Sequence, residues 1–465
     1  MHQSSIMSIL PILLVPFVMA QTASFRSENA TAATEYALQY GFSLTAWAQL
    51  SVPLIAFAGV NTLFANTNLA NASQTEVVFP NADTLYSTAA FDLTRDDLTV
   101  TVPEVDPGRY WSVSVYDPFG SNFAVFGSIE GSSAGDYTLS WKPPQNRSSS
   151  AVAGNSINSP VAYGIILIRI LVKDNGTDLT HVRQLIESCT LTEVGIPEPH
   201  EGVPPLSLLT FANLSSTDAP DAILELTART QKACPPFGMN DTASVIAELM
   251  VAGIYDGLYH MVSGVDVAAA ADKALATIDA FPETGFKSLS GNWETTTVQG
   301  LYGANFVARA YIADTAYLAL VDTQVIYPLY TEGNFSLSDG EAYLYTFSSK
   351  PPLGTTGWWS LTMYNETGYL VDNPINVFSV GDRSNSTYPD GSPVYGFNST
   401  SDESFEILVQ PATVPPPSNW AQNWLPSPEH GEMFSVSLRF YSPTAAITDG
   451  SWLYPVVSKV PAITA

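Results

Sequence analysis

Apolar and polar positions alternate along RYWSVSVYD, residues 109–117, with Trp111, Val113 and Val115 on one side and Tyr110, Ser112, Ser114 and Tyr116 on the other. A side-chain period of two marks a β-strand with two unlike faces. The pattern returns at residues 357–365, GWWSLTMYN, where Trp359, Leu361 and Met363 oppose Trp358, Ser360, Thr362 and Tyr364. Each copy follows another alternating run, LTVTVP at 98–103 and AYLYTF at 342–347. The repeat predicts two β modules of related design, each turning one apolar face to its own core. Trp111 and Trp359 are expected inside, with Trp358 and Tyr364 free to meet a ligand or a helix. Convergent use of a half-buried strand is the competing account, and a comparison of the two modules decides between them.

Elsewhere the period changes. Residues 34–50 place Tyr36, Tyr40, Leu44 and Trp47 at helical spacing. From 76 to 172, short β-branched and aromatic runs separated by Gly, Pro, Asn and Asp clusters predict successive strands and turns. Helices are expected from 178 to 320, with Val267, Ala271, Ala274, Leu275, Ile278 and Phe281 as one apolar stripe, and strands return from 341. No low-complexity linker intervenes, so the helices should pack on the β modules. The pattern gives a signal peptide over 1–20, an N-terminal helical segment over 21–58, a first β module over 59–176, a helical region over 177–300 and a second β module over 301–465. The fold class is α+β and β-rich: two related β-sandwich or jelly-roll-like modules with an inserted and flanking helical region.

Composition adds a compartment. The apolar run from Ile9 to Val18 ends in small residues before Gln21, which reads as a signal peptide cleaved after Ala20 and is too short for a membrane span. Glycosylation sequons follow at Asn29, Asn71, Asn146, Asn175, Asn213, Asn240, Asn334, Asn365, Asn385 and Asn398. Together these features predict a secreted, extracellular glycoprotein. Cys189 and Cys234, the only cysteines, could form one disulfide in an oxidising compartment or remain two buried thiols. The formal charge of −27 would repel phosphate backbones and anionic membranes, which argues against a nucleic-acid partner. With 13% charged and 46% apolar residues, the chain has the makings of a compact core, unlike a disordered acidic tail.

The runs YALQYGFSL, FPNADTLYS, VPEVDPGRYWSVSVYD, SAGDYTLS and ILIRILV resemble the family known as domain of unknown function 1254. NFVARAYIA, WWSLTMYNETGYLVDNP, NWLPSPEHGEMFSVSLRFYSP and DGSWLYP resemble its usual C-terminal companion, domain of unknown function 1214, so the likeness runs from about Tyr36 to Pro455. The resemblance implies a pair of β-sandwich or jelly-roll modules with inserted helices, homo-oligomers in many members, and hydrolase-like roles on small molecules in some. Relatives usually carry Arg-Tyr after the Asn-Pro motif; this chain has Val377 and Phe378 there.

Candidate chemistry is drawn from these motifs. Asp83 is a candidate general acid or base with Tyr86 as a hydrogen-bond donor, although Asn81 and Asp83 also suit a turn that caps backbone amides. Arg109 and Asp117 lie about 27 Å apart along one extended strand, so each must find its partner elsewhere. Arg109, Arg169, Arg309 and Arg439 stand in apolar surroundings, where a guanidinium either forms a structural ion pair or holds a substrate carboxylate or carbonyl. The catalytic candidates are Asp83, Tyr86, Arg109, Asp117 and Arg439. Tyr116, Trp358, Tyr364, Asn373 and Trp424 are the candidates for holding a flat or apolar ligand. GSSAG at 131–135 has strands on both sides, which suits a hairpin turn and not a nucleophile elbow. The histidines are scattered, with no metal-ligand spacing, and no phosphate loop or dinucleotide fingerprint occurs, so neither metal nor cofactor is expected. His260, expected on a helix, is the best base among them. The leading expectation is a metal-independent enzyme for a small apolar metabolite, hydrolase-like on an ester or lactone, with Asp83 or Asp117 as base and an arginine at the oxygen. A cyclase or isomerase and a non-catalytic small-molecule-binding or surface protein are the alternatives.

Overall fold

A computed structural model describes residues 29–74, 79–142, 152–173, 176–196, 200–214, 216, 218–331, 335–396, 399 and 401–464. The proposed signal peptide and the sequons at Asn146, Asn175, Asn334 and Asn398 lie outside the described residues. The first module contains β1 (Phe64–Asn66), β2 (Thr84–Asp92), β3 (Asp96–Val102), β4 (Trp111–Tyr116), β5 (Asn122–Gly127), β6 (Gly135–Trp141), β7 (Val152–Ala153), β8 (Ser156–Ser159), β9 (Tyr163–Leu171) and β10 (Thr190–Gly195). They form two five-stranded sheets, β1-β2-β9-β4-β5 and β10-β3-β6-β8-β7. β10 therefore carries this module past the boundary at 176 that the sequence pattern suggests.

The second module is built mainly from β11 (Val325–Ile326), β12 (Glu341–Phe347), β13 (Leu353–Asn365), β14 (Ser379–Gly381), β15 (Phe405–Pro411), β16 (Trp424–Ser427), β17 (Met433–Pro443) and β18 (Val456–Pro461). Its sheets run β11-β17-β13-β14 and β18-β12-β15-β16. Apart from β1 and β7, which have no counterpart, the order matches the first module, including a parallel pair, β15 with β16, that answers β6 with β8. Register matches as well: Ser112 lies opposite Arg169 and Gly127, and Ser360 opposite Arg439 and Gly381. The repeated strand thus reports a duplicated module.

Each repeated strand is buried on both faces. Trp111, Val113 and Val115 join the core of the first module, and Trp359, Leu361 and Met363 that of the second. The opposite faces meet each other, with Tyr110 and Leu171 packed against Trp358, Val325 and Tyr441. Trp358 and Tyr364, expected to be free, are fully buried because the second module's sheet is covered by the first. β9, YGIILIRIL, is buried along its whole length for the same reason, as a central strand between two layers.

Helices α1 (Asn29–Gly41) and α2 (Leu44–Ala58) replace the single helical run expected at the N-terminus and bend by 43° between them. No single helix among the described residues is long and apolar enough to cross a membrane. Next come α3 (Leu179–Glu187), α4 (Pro220–Thr230), α5 (Thr242–Val251), α6 (Val267–Asp279) and α7 (Phe306–Ala316). Leu224, Leu249 and Ala270 of α4, α5 and α6 belong to the same core as the first module, so these helices are packed on it. The buried stripe of α6 is Ala270, Ala274 and Ile278; Leu275 is exposed, one position off the expected face.

Gly127 and Gly381 show how closely the edge strands approach. A Cβ at Gly127 would lie 2.3 Å from the carbonyl oxygen of Trp111, and at Gly381 2.1 Å from that of Trp359. Gly127→Ala and Gly381→Ala should each destabilise the protein by roughly 1–3 kcal/mol through backbone displacement. Chemical denaturation of each variant tests the duplicated packing, and a loss too small to measure at both positions would contradict it.

Candidate functional site

The face carrying Ser112, Ser114 and Tyr116 gains its chemistry from the neighbouring strand. Arg169 on β9 donates from Nη1 to Ser114 Oγ at 2.9 Å and from Nη2 to Tyr116 Oη at 3.3 Å. Arg439 on β17 repeats this with Thr362 Oγ1 at 3.0 Å and Tyr364 Oη at 2.7 Å. Burial works against the charge of both guanidiniums, but neighbouring phenols, Tyr116 and Tyr86 for Arg169 and Tyr364 and Tyr441 for Arg439, raise their pKa values further. Burial likewise raises the phenols of Tyr116 and Tyr364, which stay neutral and accept from these guanidiniums, Tyr364 in turn donating to the Pro80 carbonyl.

Each arginine also crosses to the other module. Arg169 Nη2 donates to the Leu318 carbonyl at 3.4 Å, and Arg439 Nη2 to the Phe79 carbonyl at 3.0 Å. Leu318 precedes β11 and Phe79 precedes β2; both have positive φ, 64° and 50°, an uncommon conformation for bulky residues. A second pair of ties follows the same exchange. Asp83, before β2, accepts from Arg383 at 2.7 Å and from Ser379 at 2.8 Å, while Gln324, before β11, donates to Glu130. Asp83 is thus an ion-pair partner with Oδ1 occupied and Oδ2 buried without a partner. Asn81 accepts from the Asp83 amide, the turn role noted for it, and donates to Tyr441 Oη at 3.2 Å.

Beside this cluster, Asp117 and Arg309 border a cavity of about 10 Å³, room for one water molecule. Tyr40, Phe119 and Ser121 contribute to its wall, and Pro235, Pro236, Phe237, Met239 and Leu301 supply an apolar side. Asp117 is 1% exposed, and its Oδ1 accepts from the Ser121 amide at 2.7 Å. Burial lifts its pKa from 3.8 to about 6 against the opposing pull of Arg309. Arg309 reaches across from α7 to the Tyr40 carbonyl at 2.5 Å and lies 4.3 Å from the Phe119 ring centroid. Its Nε–H is buried without a partner, and among the described residues it forms no ion pair with Asp117. The cavity is therefore bordered by a carboxylate able to take up a proton near neutral pH and by a guanidinium. Asn365 occupies the equivalent turn in the second module, accepting from the amides of Thr367 and Tyr369.

Other candidates serve the structure. Arg109 pairs with Asp106 and Asp178 at 2.8 and 2.7 Å and donates to the Leu171 carbonyl, so it does not join the cluster. Asn373 closes a turn through Val371 and Val377, and Trp424 packs between strands with Nε1 donating to Gln410. His260 is not on a helix: it follows a short hairpin, Ile254–Tyr255 with Leu258–Tyr259, and stacks on Tyr255 at 4.2 Å. Residues 131–135 join β5 to β6 across two different sheets, so the turn is not that of a hairpin. The cysteines are not bonded. Cys189 donates to Leu185 within α3 and Cys234 to Tyr163 on β9, and burial pushes the Cys189 thiol up to about 12. Tyr86 and Tyr116 stand beside Arg169 and Tyr364 beside Arg439 at the module interface, while Asp83 and Arg109 are taken up in ion pairs. Among the described residues, no group of three or more His, Cys, Asp or Glu residues could hold a metal ion.

Sequence reasoning did not single out Arg383, Tyr327 or Tyr441. The one signal available for Tyr441 was its place two positions beyond Arg439 in SLRFYS, which puts both on one strand face. Arg383, in the turn GDRSNS, carries no such pattern.

Residues 60–193 match the family model described as Protein of unknown function (DUF1254), and residues 325–445 match Protein of unknown function (DUF1214). No protein of curated function matches the chain. The crystal structure of the VPA0106 protein from Vibrio parahaemolyticus is similar over 93% of this chain and 100% of its own, at 18% identity and a TM-score of 0.63. A putative uncharacterized protein from Burkholderia cenocepacia aligns with 96% of this chain and 98% of its own, at 13% identity and a TM-score of 0.45. The two matched regions include the repeated strands and both interface arginines, and the chain belongs to the family that pairs a DUF1254 domain with a DUF1214 domain.

Proposed function

We propose that the protein is a hydrolase for a small apolar ester or lactone, with the attacking water seated in the Asp117–Arg309 cavity. The supporting observation is a water-sized space bordered by a buried carboxylate with a pKa near 6 and a guanidinium with an unpaired N–H. Asp117 takes a proton from the water as its oxygen bonds to the substrate carbonyl carbon. The negative charge that develops on the carbonyl oxygen is received by Arg309. Collapse of the tetrahedral species breaks the bond to the leaving alkoxide, which recovers the proton from Asp117. The products are a carboxylic acid and an alcohol, or a hydroxy acid from a lactone. Pro235, Phe237 and Met239 suit the apolar portion of such a substrate.

Asp117→Asn should lower kcat on a reactive aryl ester by ~100-fold or more, and wild-type activity should rise with pH through about 6 to a plateau. Unchanged turnover by a folded Asp117→Asn protein would overturn the assignment. Stability should move the other way. Because the folded pKa lies above 3.8, the native state binds the proton more tightly, and stability is lost as pH rises from about 4 to about 6. Asp117→Asn should therefore be more stable than wild type at pH 7, by an amount on the order of 2 kcal/mol, with the difference vanishing near pH 4. Denaturant titrations at the two pH values measure this.

The N-terminal apolar run and the sequons support an exported glycoprotein. Among the described sequons Asn29, Asn71, Asn213, Asn240, Asn365 and Asn385, none has a buried asparagine. Expressed in a eukaryotic secretory host, the protein should appear in the medium beginning at Gln21 and lose apparent mass on treatment with an N-glycanase. Retention inside the cell with an intact N-terminus and no mass change would refute this reading.

A further inference from the structure

The interface between the modules holds charged groups that the proposed hydrolysis does not use. Arg169 and Arg439 are each 5% exposed, and among the described residues neither forms an ion pair with a carboxylate. Carboxylate pairing is available elsewhere in the chain: the buried Arg109 has two carboxylate partners, and so has the half-buried Arg383, whereas Arg309 resembles Arg169 and Arg439 in having no ion pair among the described residues. Acidic residues are not scarce, 44 against 17 basic, so a shortage of counter-charge does not explain the contrast. A buried cation without a carboxylate costs several kcal/mol unless its donors are well used. Each guanidinium makes three hydrogen bonds, all to neutral oxygens, out of five N–H donors.

The two charges bear on the same side chains. Both act on the phenols of Tyr327 and Tyr441, which stand near the two guanidiniums. Nearby, the Trp358 indole N–H and the Ser360 hydroxyl are buried without partners, which adds donors and no negative charge. Aromatic surface is available too. Trp358 is covered by Tyr441 at 4.0 Å and by Arg383 at 4.5 Å, whereas Tyr86 and Tyr327 are only half-buried. These two tyrosines occupy equivalent places: Tyr86 pairs with Arg169, and Tyr327 directly follows the strand that pairs Ile326 with Phe440, beside Arg439. They are the partly exposed rings beside the cationic cluster.

We infer that the inter-module cluster is a binding site for a small planar or aromatic carboxylate, its anionic head shared by Arg169 and Arg439 and its ring packed against Tyr86 and Tyr327. A carboxylate offers two acceptor oxygens to guanidinium forks, which a neutral amide of the same shape cannot match in charge. The site is separate from the Asp117 cavity and does not depend on the hydrolytic reading.

Calorimetric and thermal-shift titrations of the full chain with benzoate and 3-phenylpropanoate, each against its neutral amide, test this. Saturable binding of at least one carboxylate, with a rise in Tm, and no response to its amide is the expected result. Arg169→Met and Arg439→Met should each weaken that binding by 10-fold or more, and the Lys variants, which keep the charge and lose the fork, should weaken it less. Circular dichroism selects the folded variants; if a Met variant fails to fold, the Lys variant and the amide comparison carry the test. Asp117→Asn should bind the carboxylate as wild type does, so loss of hydrolysis and loss of binding are read separately. Absence of saturable carboxylate binding, equal binding of acid and amide, or affinity unchanged in the folded arginine variants would overturn the proposal.

Discussion

The molecule rests on one requirement: a guanidinium taken out of water must have its N–H groups used. Arg169 and Arg439 meet it partly on their own strand faces, through Ser114 and Tyr116 or Thr362 and Tyr364, and partly by reaching a carbonyl of the opposite module. The carbonyls they reach belong to residues in the left-handed region, Leu318 and Phe79. Backbone strain of that kind costs on the order of 1–3 kcal/mol per residue and persists where surrounding contacts hold it. Arginine, carbonyl and sheet face therefore support one another, and the modules are joined by directional bonds as well as by the apolar contacts around Tyr110, Trp358 and Tyr441.

How much of this was legible in the sequence differs between residues for physical reasons. The alternation in RYWSVSVYD and GWWSLTMYN fixes which side chains share a face, because a strand has only two faces, and Trp111 and Trp359 are in their cores as that rule requires. The same rule cannot say what covers the second face. Trp358 and Tyr364 look available in the sequence and are buried in the structure, since the covering layer is the other module, far away along the chain. Arg109 and Asp117 flank one strand and find different partners, as their separation demands. The partners, Asp106 and Asp178 in one case and the surroundings of Arg309 in the other, are set by loops and helices whose packing carries no periodic signal.

Duplication also separates what is architectural from what is particular to one half. The arginine, its hydroxyl partners and the edge glycine occur in both modules, so they are explained by building the same sheet twice. The carboxylate of Asp117 does not recur: Asn365 holds the matching turn with a neutral amide that serves the same backbone N–H groups. A turn needs only an acceptor oxygen. A negative charge buried beside Arg309, with its pKa lifted to about 6, is more than the turn requires.

The crossed ties have a further consequence. What the first half gives to the second, the second returns from a similar place in its fold: Arg169 to Leu318 and Arg439 to Phe79, Asp83 with Arg383 and Gln324 with Glu130. Such an exchange is the mark of an isologous contact, the kind two identical subunits make about a dyad. A polypeptide bearing a single module could assemble the same union with its own twin, one arginine serving on both sides of the axis. With both copies in one chain each can differ from the other, as where one turn keeps an acid and its counterpart an amide.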